Sequence, residues 1–122
     1  MTQLSTNFTV DDFTCPCCGD VLYDLYLIEK LQQARTIAGI PFLITSGFRC
    51  AFENKRRGGD DNSAHLRGMA ADIAAHTGQQ RYKIIEALLG VGLNRLGIYE
   101  RHIHVDVDQT MHPCYIWYGV YK

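Results

Sequence analysis

Two short segments with a period of two most limit what this chain can fold into. Residues 101–108 read RHIHVDVD, so that aliphatic residues alternate with histidine and aspartate. Residues 69–75 read MAADIAA, in which Asp72 shares a face with Ala70 and Ala74. Successive side chains of a β-strand point to opposite faces. Both segments are therefore predicted strands, each with an apolar face for the core and a face that carries ionisable groups.

Helical periodicity predicts two principal helices to cover these strands. One runs from about residue 22 to residue 38 and ends at Gly39, and the other spans residues 79–89 behind Thr77, a residue type that caps helices. The remaining segments are predicted as strands at 42–45, 95–100 and 115–121, a polar surface loop at 51–62 and an irregular N-terminal arm at 1–19. The expected fold is a single α+β domain over residues 1–122, with a mainly antiparallel sheet and the two helices packed on it.

The composition argues against several kinds of partner. Of the 122 residues, 47% are hydrophobic and 20% are charged, which is typical of a globular core. A net charge of −1 provides no basic field, so we expect no nucleic-acid partner. No apolar run reaches the roughly 18 residues of a membrane span, and the N-terminus lacks the order of a signal peptide. We therefore expect synthesis in the cytoplasm, no membrane partner and a monomer.

Imidazole and carboxylate groups concentrate around residues 63–72 and 102–106. A catalytic zinc site needs three protein ligands with N or O donors and one position left open for water. His65, Asp72 and His104 would supply that set if the two predicted strands lie side by side and Gly68 turns the chain into the first of them. Each residue alone is compatible with a structural role. An apolar alanine strand, however, has little reason to carry a carboxylate unless a charge or a metal ion pairs with it.

The cysteines allow more than one interpretation. There are five of them, Cys15, Cys17, Cys18, Cys50 and Cys114, and an odd number cannot pair completely within one chain. Without a signal peptide we expect reduced thiols. CPCCG contains one CxxC pair, which is half of a zinc knuckle, and Cys50 and Cys114 would have to complete the ligand set. Buried or incidental thiols are the simpler interpretation. A structural zinc site and a disulfide both stay open, while a knuckle that contacts nucleic acid conflicts with the near-neutral charge.

Three motifs resemble a known family: SGFR at 46–49, SxHxxGxAxD at 63–72 and HxHxD at 102–106. They are similar to those of the zinc D-alanyl-D-alanine carboxypeptidases and phage endolysins, which are often grouped with lysostaphin-type peptidases and the hedgehog signalling domain. The resemblance extends from about residue 8 to residue 107 and includes the opening FxVxxFxCxxCG. It implies the fold of that group and a Zn²⁺ cofactor held by His65, Asp72 and His104.

The resemblance also implies roles for four further residues. His102, on the same strand face as His104, matches a catalytic position, and Arg49 matches the arginine that orients the substrate or stabilises an oxyanion. Ser63 and Asp106 match groups that hold the ligands or contact the substrate. Many members carry a glutamate as general base three residues before the last histidine, but Arg101 stands there in this chain. The base is therefore either His102 or a carboxylate such as Asp106.

The implied function is zinc-dependent hydrolysis of an amide bond in the stem peptide of bacterial peptidoglycan, by a D-alanyl-D-alanine carboxypeptidase or an L-alanyl-D-glutamate endopeptidase. The short chain without a signal peptide resembles phage lysins, which reach the cell wall after release by a holin. The alternative is a non-catalytic metal-bearing binding or assembly module of the same fold. Such a module would be expected to have lost Arg49 or His102, and both are present.

The other histidines and the C-terminal aromatic residues are expected to be structural. His76 and His112 match no motif position and are predicted to be surface or structural residues. A cluster of aromatic residues near the C-terminus is expected to serve strand packing rather than to form a wall for the substrate; its members are Tyr115, Trp117, Tyr118 and Tyr121.

Overall fold

A computed structural model describes residues 2–119, and its centre is one five-stranded sheet. The strands are β1 (Ile44–Ser46), β2 (Ala70–Ala74), β3 (Arg95–Ile98), β4 (His102–Asp106) and β5 (Tyr115–Tyr118). The helices are α1 (Leu25–Ala38), α2 (Ala51–Arg56) and α3 (Gly78–Gly90), with short 3₁₀ helices at Val10–Phe13 and Ala64–Arg67. The strand order is β1-β2-β4-β3-β5, and every neighbouring pair is antiparallel except β3 and β5. The predicted α+β fold with a mainly antiparallel sheet is confirmed.

The two principal helices form where the periodicity predicts them, and capping groups set their ends. α1 begins three residues later than predicted, because the carboxylate of Asp24 accepts the N–H of Leu27 at the N-cap. It ends at Gly39, which adopts the left-handed conformation with φ of 68°. α3 begins after Thr77, whose hydroxyl accepts the N–H of Gln80 within a capping box. Among the residues described, no helix is long and apolar enough to cross a membrane.

The apolar face of the sheet lies in a core shared with the helices and the N-terminal arm. Ile73 of β2 and Ile103 of β4 are fully buried in one cluster with residues of α1 and α3. Phe8 and Phe13 of the arm belong to the same cluster, so the arm is part of the core although its backbone is largely irregular. Because side chains alternate along a strand, burial of this face directs the histidines and aspartates to the opposite face.

The prediction of a surface loop over residues 51–62 is wrong for its first half. Ala51–Arg56 form α2, in which the carboxylate of Glu53 is almost completely buried. Arg56 and Arg57 donate hydrogen bonds to that carboxylate at 2.6–2.9 Å. Ion pairs between residues three and four apart stabilise this helix. Its sequence has no apolar stripe, so helical periodicity does not predict it.

The strand predictions hold with shifted ends. The first strand begins two residues later than predicted and reaches Ser46, and the two strands that follow α3 are each shorter than predicted. The last strand is confirmed over Tyr115–Tyr118. Residues 120 and 121 of the predicted strand lie outside the described part of the chain.

Candidate metal centre

The polar face of the sheet brings together His65, Asp72 and His104, which are far apart in the sequence. Asp72 of β2 pairs directly with His104 of β4, and His65 lies on the 3₁₀ helix that leads into β2. Nε2 of His65 lies 3.2 Å from Oδ1 of Asp72, and Nδ1 of His104 lies 3.1 Å from the same oxygen. All three side chains are buried, and one donor atom from each lies within 4.8 Å of the other two. The structure therefore brings together the ligand set that the sequence predicts.

Local sequence shapes the turn that delivers His65. The hydroxyl of Ser63 accepts the N–H of His65 at 3.2 Å, at the start of the 3₁₀ helix. Gly68 ends this helix with φ of 68°, a conformation that residues with a Cβ rarely adopt. A Cβ at Gly68 would also lie 2.7 Å from the side chain of Leu22. Ser63 thus holds the backbone of a predicted ligand, and Gly68 allows the chain to turn into β2.

Each imidazole is oriented by a hydrogen bond at its second nitrogen. Nδ1 of His65 lies 2.6 Å from the carbonyl oxygen of Gly47, which leaves Nε2 to face Asp72. Nε2 of His104 lies 2.8 Å from Oδ2 of Asp106, which leaves Nδ1 to face Asp72. Metal-binding histidines typically donate their second N–H to a carbonyl or a carboxylate, which sets the tautomer and raises the basicity of the ligand. The donor set and its supporting hydrogen bonds therefore fit a zinc ion.

Burial and charge together decide how these groups ionise. Burial opposes ionisation of Asp72, but His65 and His104 hold the pKa of this carboxyl well below its usual value. Burial lowers the pKa of His65. Burial acts on His104 in the same direction, but hydrogen bonds with Asp106 and Asp72 raise the pKa of His104 to about 9. The centre thus holds an anionic carboxylate between imidazoles, and a metal ion that binds there has to displace any proton on His104.

Asp106 is itself held by a residue that the sequence analysis did not single out. Nε of Arg95, on β3, donates to Oδ1 of Asp106 at 2.7 Å, while the other oxygen of Asp106 contacts His104. The side chain of Asp106 is almost completely buried and that of Arg95 is 11% exposed. Only the pairing of β3 with β4 brings Arg95 to this position, so no local motif identifies it.

Arg49 and His102 lie beside the second carboxylate oxygen of Asp72. Nη2 of Arg49 lies 2.8 Å and Nε2 of His102 lies 3.7 Å from Oδ2. Nε of Arg49 also donates to Oγ of Ser46 at 2.8 Å. His102 stacks on Tyr99 with ring centroids 4.6 Å apart, and burial lowers the pKa of His102. Arg49 therefore supports a predicted ligand directly, a contact that the sequence did not predict.

The centre opens into a cleft of about 850 Å³, one side of which is lined by β5. Trp117 packs beside His104 with ring centroids 5.3 Å apart. Tyr115 and Tyr118 are 49% and 81% exposed and line the cleft. Trp117 lines the cleft as well. The expectation that these aromatic residues serve strand packing rather than form a wall is therefore wrong for Tyr115 and Tyr118 and incomplete for Trp117, while Tyr121 lies outside the described residues.

Tyr99 and His76 complete the surroundings of the cleft, and His112 lies outside the residues that line it. Tyr99 lies under His102, and its hydroxyl accepts a hydrogen bond from Nε1 of Trp117 at 3.1 Å. The motif GIY, which ends three residues before His102, is the one sequence signal for this role. His76 is exposed at the border of the cleft. His112 is exposed, and its Nδ1 lies 2.7 Å from the carbonyl oxygen of Pro113.

Two imidazoles and one carboxylate, with an arginine and a third imidazole beside them in an open cleft, form a donor set that could hold one metal ion. Residues 6–108 match the family Peptidase M15. Because this match covers well over half of the chain, the protein belongs to that family of metallopeptidases, whose members are typically zinc-dependent. A comparison with curated proteins gives no match.

Proposed function

We propose that this chain hydrolyses an amide bond in the stem peptide of bacterial peptidoglycan and that His65, Asp72 and His104 are its zinc ligands. The observation that carries the proposal is the buried trio, in which a second hydrogen bond orients each imidazole. A zinc ion bound there supplies Lewis acidity, which activates water and polarises the scissile carbonyl. Membership of Peptidase M15 supports this chemistry.

Arg49 is proposed to bind negative charge on the substrate. Its guanidinium lines the cleft and borders Asp72, so it lies next to the proposed metal position. An arginine side chain stays protonated and can form two parallel hydrogen bonds with a carboxylate or an oxyanion. Charge that develops on the scissile carbonyl oxygen would therefore be stabilised by a donor that is already in place.

Proton transfer is assigned to His102 rather than to Asp106. Asp106 is 4% exposed, and its two oxygens are engaged by Arg95 and His104. His102 lines the cleft, and its Nε2 lies 3.7 Å from Asp72. A general base has to lie within hydrogen-bonding reach of the proton that it accepts. The position of His102 beside Asp72 supports this role toward a water molecule or a leaving amine at the centre.

The cleft offers arginines to the carboxylate of an anionic peptide. Arg57 and Arg101 line it together with Arg49, although aspartates line it too. A carboxypeptidase that removes a terminal D-alanine has to accept a terminal carboxylate, and an endopeptidase that cuts before D-glutamate has to accept the carboxylate of that residue. Both alternatives place a carboxylate among arginines, where bidentate pairing favours it.

The biological setting belongs to the same proposal. The chain acts as a monomer on cell-wall peptide, without a nucleic-acid or membrane partner. It is made in the cytoplasm and reaches the wall after holin-type release or as a component of a phage, as lysins of this kind do. The near-neutral charge supports the part of this proposal that concerns nucleic acid.

Mass analysis of purified muropeptides tests the proposed hydrolysis, because the mass that is lost identifies the bond. The zinc-loaded protein is expected to release a terminal D-alanine or to separate L-alanine from the rest of the stem peptide. His65→Ala should bind no zinc at the centre and cleave nothing, while His112→Ala, a change of an exposed histidine, should behave as the wild type. Intact muropeptides with fully loaded wild-type protein would contradict the hydrolase and favour the non-catalytic module. Full occupancy of the centre in His65→Ala would contradict the ligand assignment.

A further inference from the structure

Three of the five cysteines lie together where the N-terminal arm meets α2. One sulfur each from Cys15, Cys18 and Cys50 lies within 4.8 Å of the other two. Cys15 is buried, Cys50 is partly buried and Cys18 is exposed. Cys114 lies elsewhere, beside Asn94 in the segment before β3, so it does not belong to this group. The tertiary structure therefore selects one of the cysteine combinations that the sequence left open.

The segment CPCCG folds into a tight turn that places Cys15 and Cys18 on the same side. The N–H of Gly19 donates to the carbonyl of Cys15 at 2.9 Å, and the N–H of Cys15 donates to the carbonyl of Asp20 at 2.8 Å. Gly19 adopts φ of 78°, which a residue with a side chain would rarely adopt. An antiparallel bridge between Thr14 and Val21 closes the turn. The backbone of this turn therefore holds the two cysteines close together.

Backbone N–H groups point at these sulfurs. The N–H of Cys50 donates to Sγ of Cys15, and the N–H of Asp20 donates to Sγ of Cys18, both at 3.4 Å. Donors that converge on sulfur stabilise a thiolate more than a neutral thiol. Thiolates that lie this close together repel one another unless a cation lies between them.

We propose that Cys15, Cys18 and Cys50 bind a second zinc ion as thiolates and that this ion is structural. Zinc takes thiolate ligands in tetrahedral sites, and one pair of ligands is commonly spaced as CxxC, as Cys15 and Cys18 are. Each thiol gives up its proton to solvent when it binds. A tetrahedral site leaves a fourth position for a further ligand, and Cys17 of the same CPCCG segment is the candidate for it.

The proposed ion would join the arm to the segment that positions the catalytic centre. Cys50 follows Arg49 directly and is the N-cap residue of α2. The arm already packs closely there, since a Cβ at Gly47 would lie 2.6 Å from the carbonyl oxygen of Asp12. The carbonyl of Gly47 orients His65. A metal ion between the arm and Cys50 would therefore hold the backbone on both sides of these contacts.

Cobalt substitution separates the two sites, because thiolate ligands produce an intense sulfur-to-cobalt charge-transfer band in the near ultraviolet, whereas imidazole and carboxylate ligands do not. The full chain, kept reduced and reconstituted with Co²⁺, should bind two ions and show this band. His65→Ala should lose one ion and keep the band. Cys18→Ser, a change of an exposed side chain, should lose one ion together with the band, and Cys114→Ser is the matched control that should keep both.

The band should also disappear in Cys50→Ser, a second variant that keeps the test sharp if Cys18→Ser folds poorly. A weaker band in Cys17→Ser would support the fourth ligand. A reduced wild-type chain that binds a single cobalt ion without the band would overturn the proposal, as would a Cys18→Ser spectrum identical to that of the wild type. A chain that shows the band but leaves muropeptides intact would contradict the hydrolase and support the thiolate site.

Discussion

Replacing Asp106 tests whether the hydrogen bond to His104 supports metal binding. Oδ2 of Asp106 lies 2.8 Å from Nε2 of His104, and its other oxygen accepts from Nε of Arg95 at 2.7 Å. Asp106→Asn keeps the size of the side chain and removes its charge. Asp106→Ala removes both acceptors. Both variants should bind zinc more weakly, because a less basic imidazole that is less well oriented is a poorer ligand.

The size of the effect follows from these contacts. Loss of a group that supports a metal-binding histidine typically costs about 10–100-fold in affinity, which corresponds to about 1.4–2.7 kcal/mol. Asp106→Asn should lie near the lower end, because its amide oxygen can still accept one hydrogen bond, and Asp106→Ala near the upper end. Stability should fall as well, by about 1.5–3 kcal/mol in the free energy of unfolding, since Arg95 loses a charged partner.

Competition with a chromophoric chelator measures the zinc Kd at a temperature at which circular dichroism shows each variant folded. Asp61→Asn, a change of an exposed carboxylate, is the matched control and should leave the Kd unchanged. A merely structural role for Asp106 would lower the melting temperature and leave the Kd of the folded protein unchanged. That outcome would refute the argument that Asp106 acts through His104.

Three other perturbations test separate parts of the structure. His102→Ala should fold, keep its zinc and lose about 10²–10⁴ in kcat/KM; zinc loss in proportion to activity would show a ligand or a structural support instead. Gly97→Ala places a Cβ 2.7 Å from the indole of the chain's only tryptophan, so the cost of overpacking, about 1–3 kcal/mol, should lower the melting temperature and shift the tryptophan fluorescence. Gly90→Ala, with nothing within 4 Å of its Cβ, should neither lower the melting temperature nor shift the fluorescence, because alanine favours the helix that Gly90 belongs to. The same result for Gly97→Ala would show that the close contact does not exist. Hydrogen bonds from Arg56 and Arg57 lower the pKa of Glu53 to about 2. The ionised carboxylate of Glu53 therefore stabilises the fold above the ordinary pKa of a glutamate, and this stabilisation is lost as the pH falls towards 2. Urea unfolding of the metal-free protein should show the wild type losing more stability than Glu53→Gln over that range, and equal losses would argue against the ion pairs.

Local patterns were sufficient for the strands and the two principal helices. The alternation around Asp72 and His104 predicts β2 and β4, because a strand that buries one face has to carry its polar residues on the other. Thr77 and Gly39 mark helix ends, because capping depends on a residue type at a fixed place in the sequence. The same patterns, with the family resemblance, predict the trio that the structure brings together.

The sequence is thus sufficient for helices and strands whose pattern is local, and for the polar residues that share a strand face. Tertiary structure alone decided the partners of those residues: Arg95 beside Asp106, the carbonyl of Gly47 beside His65, and Cys50 beside the CxxC pair. It also decided that β5 is an edge strand whose tyrosines line the cleft. The physical reason is that these contacts join segments far apart in the chain, and periodicity reports which face of an element is buried but carries no information about what covers it.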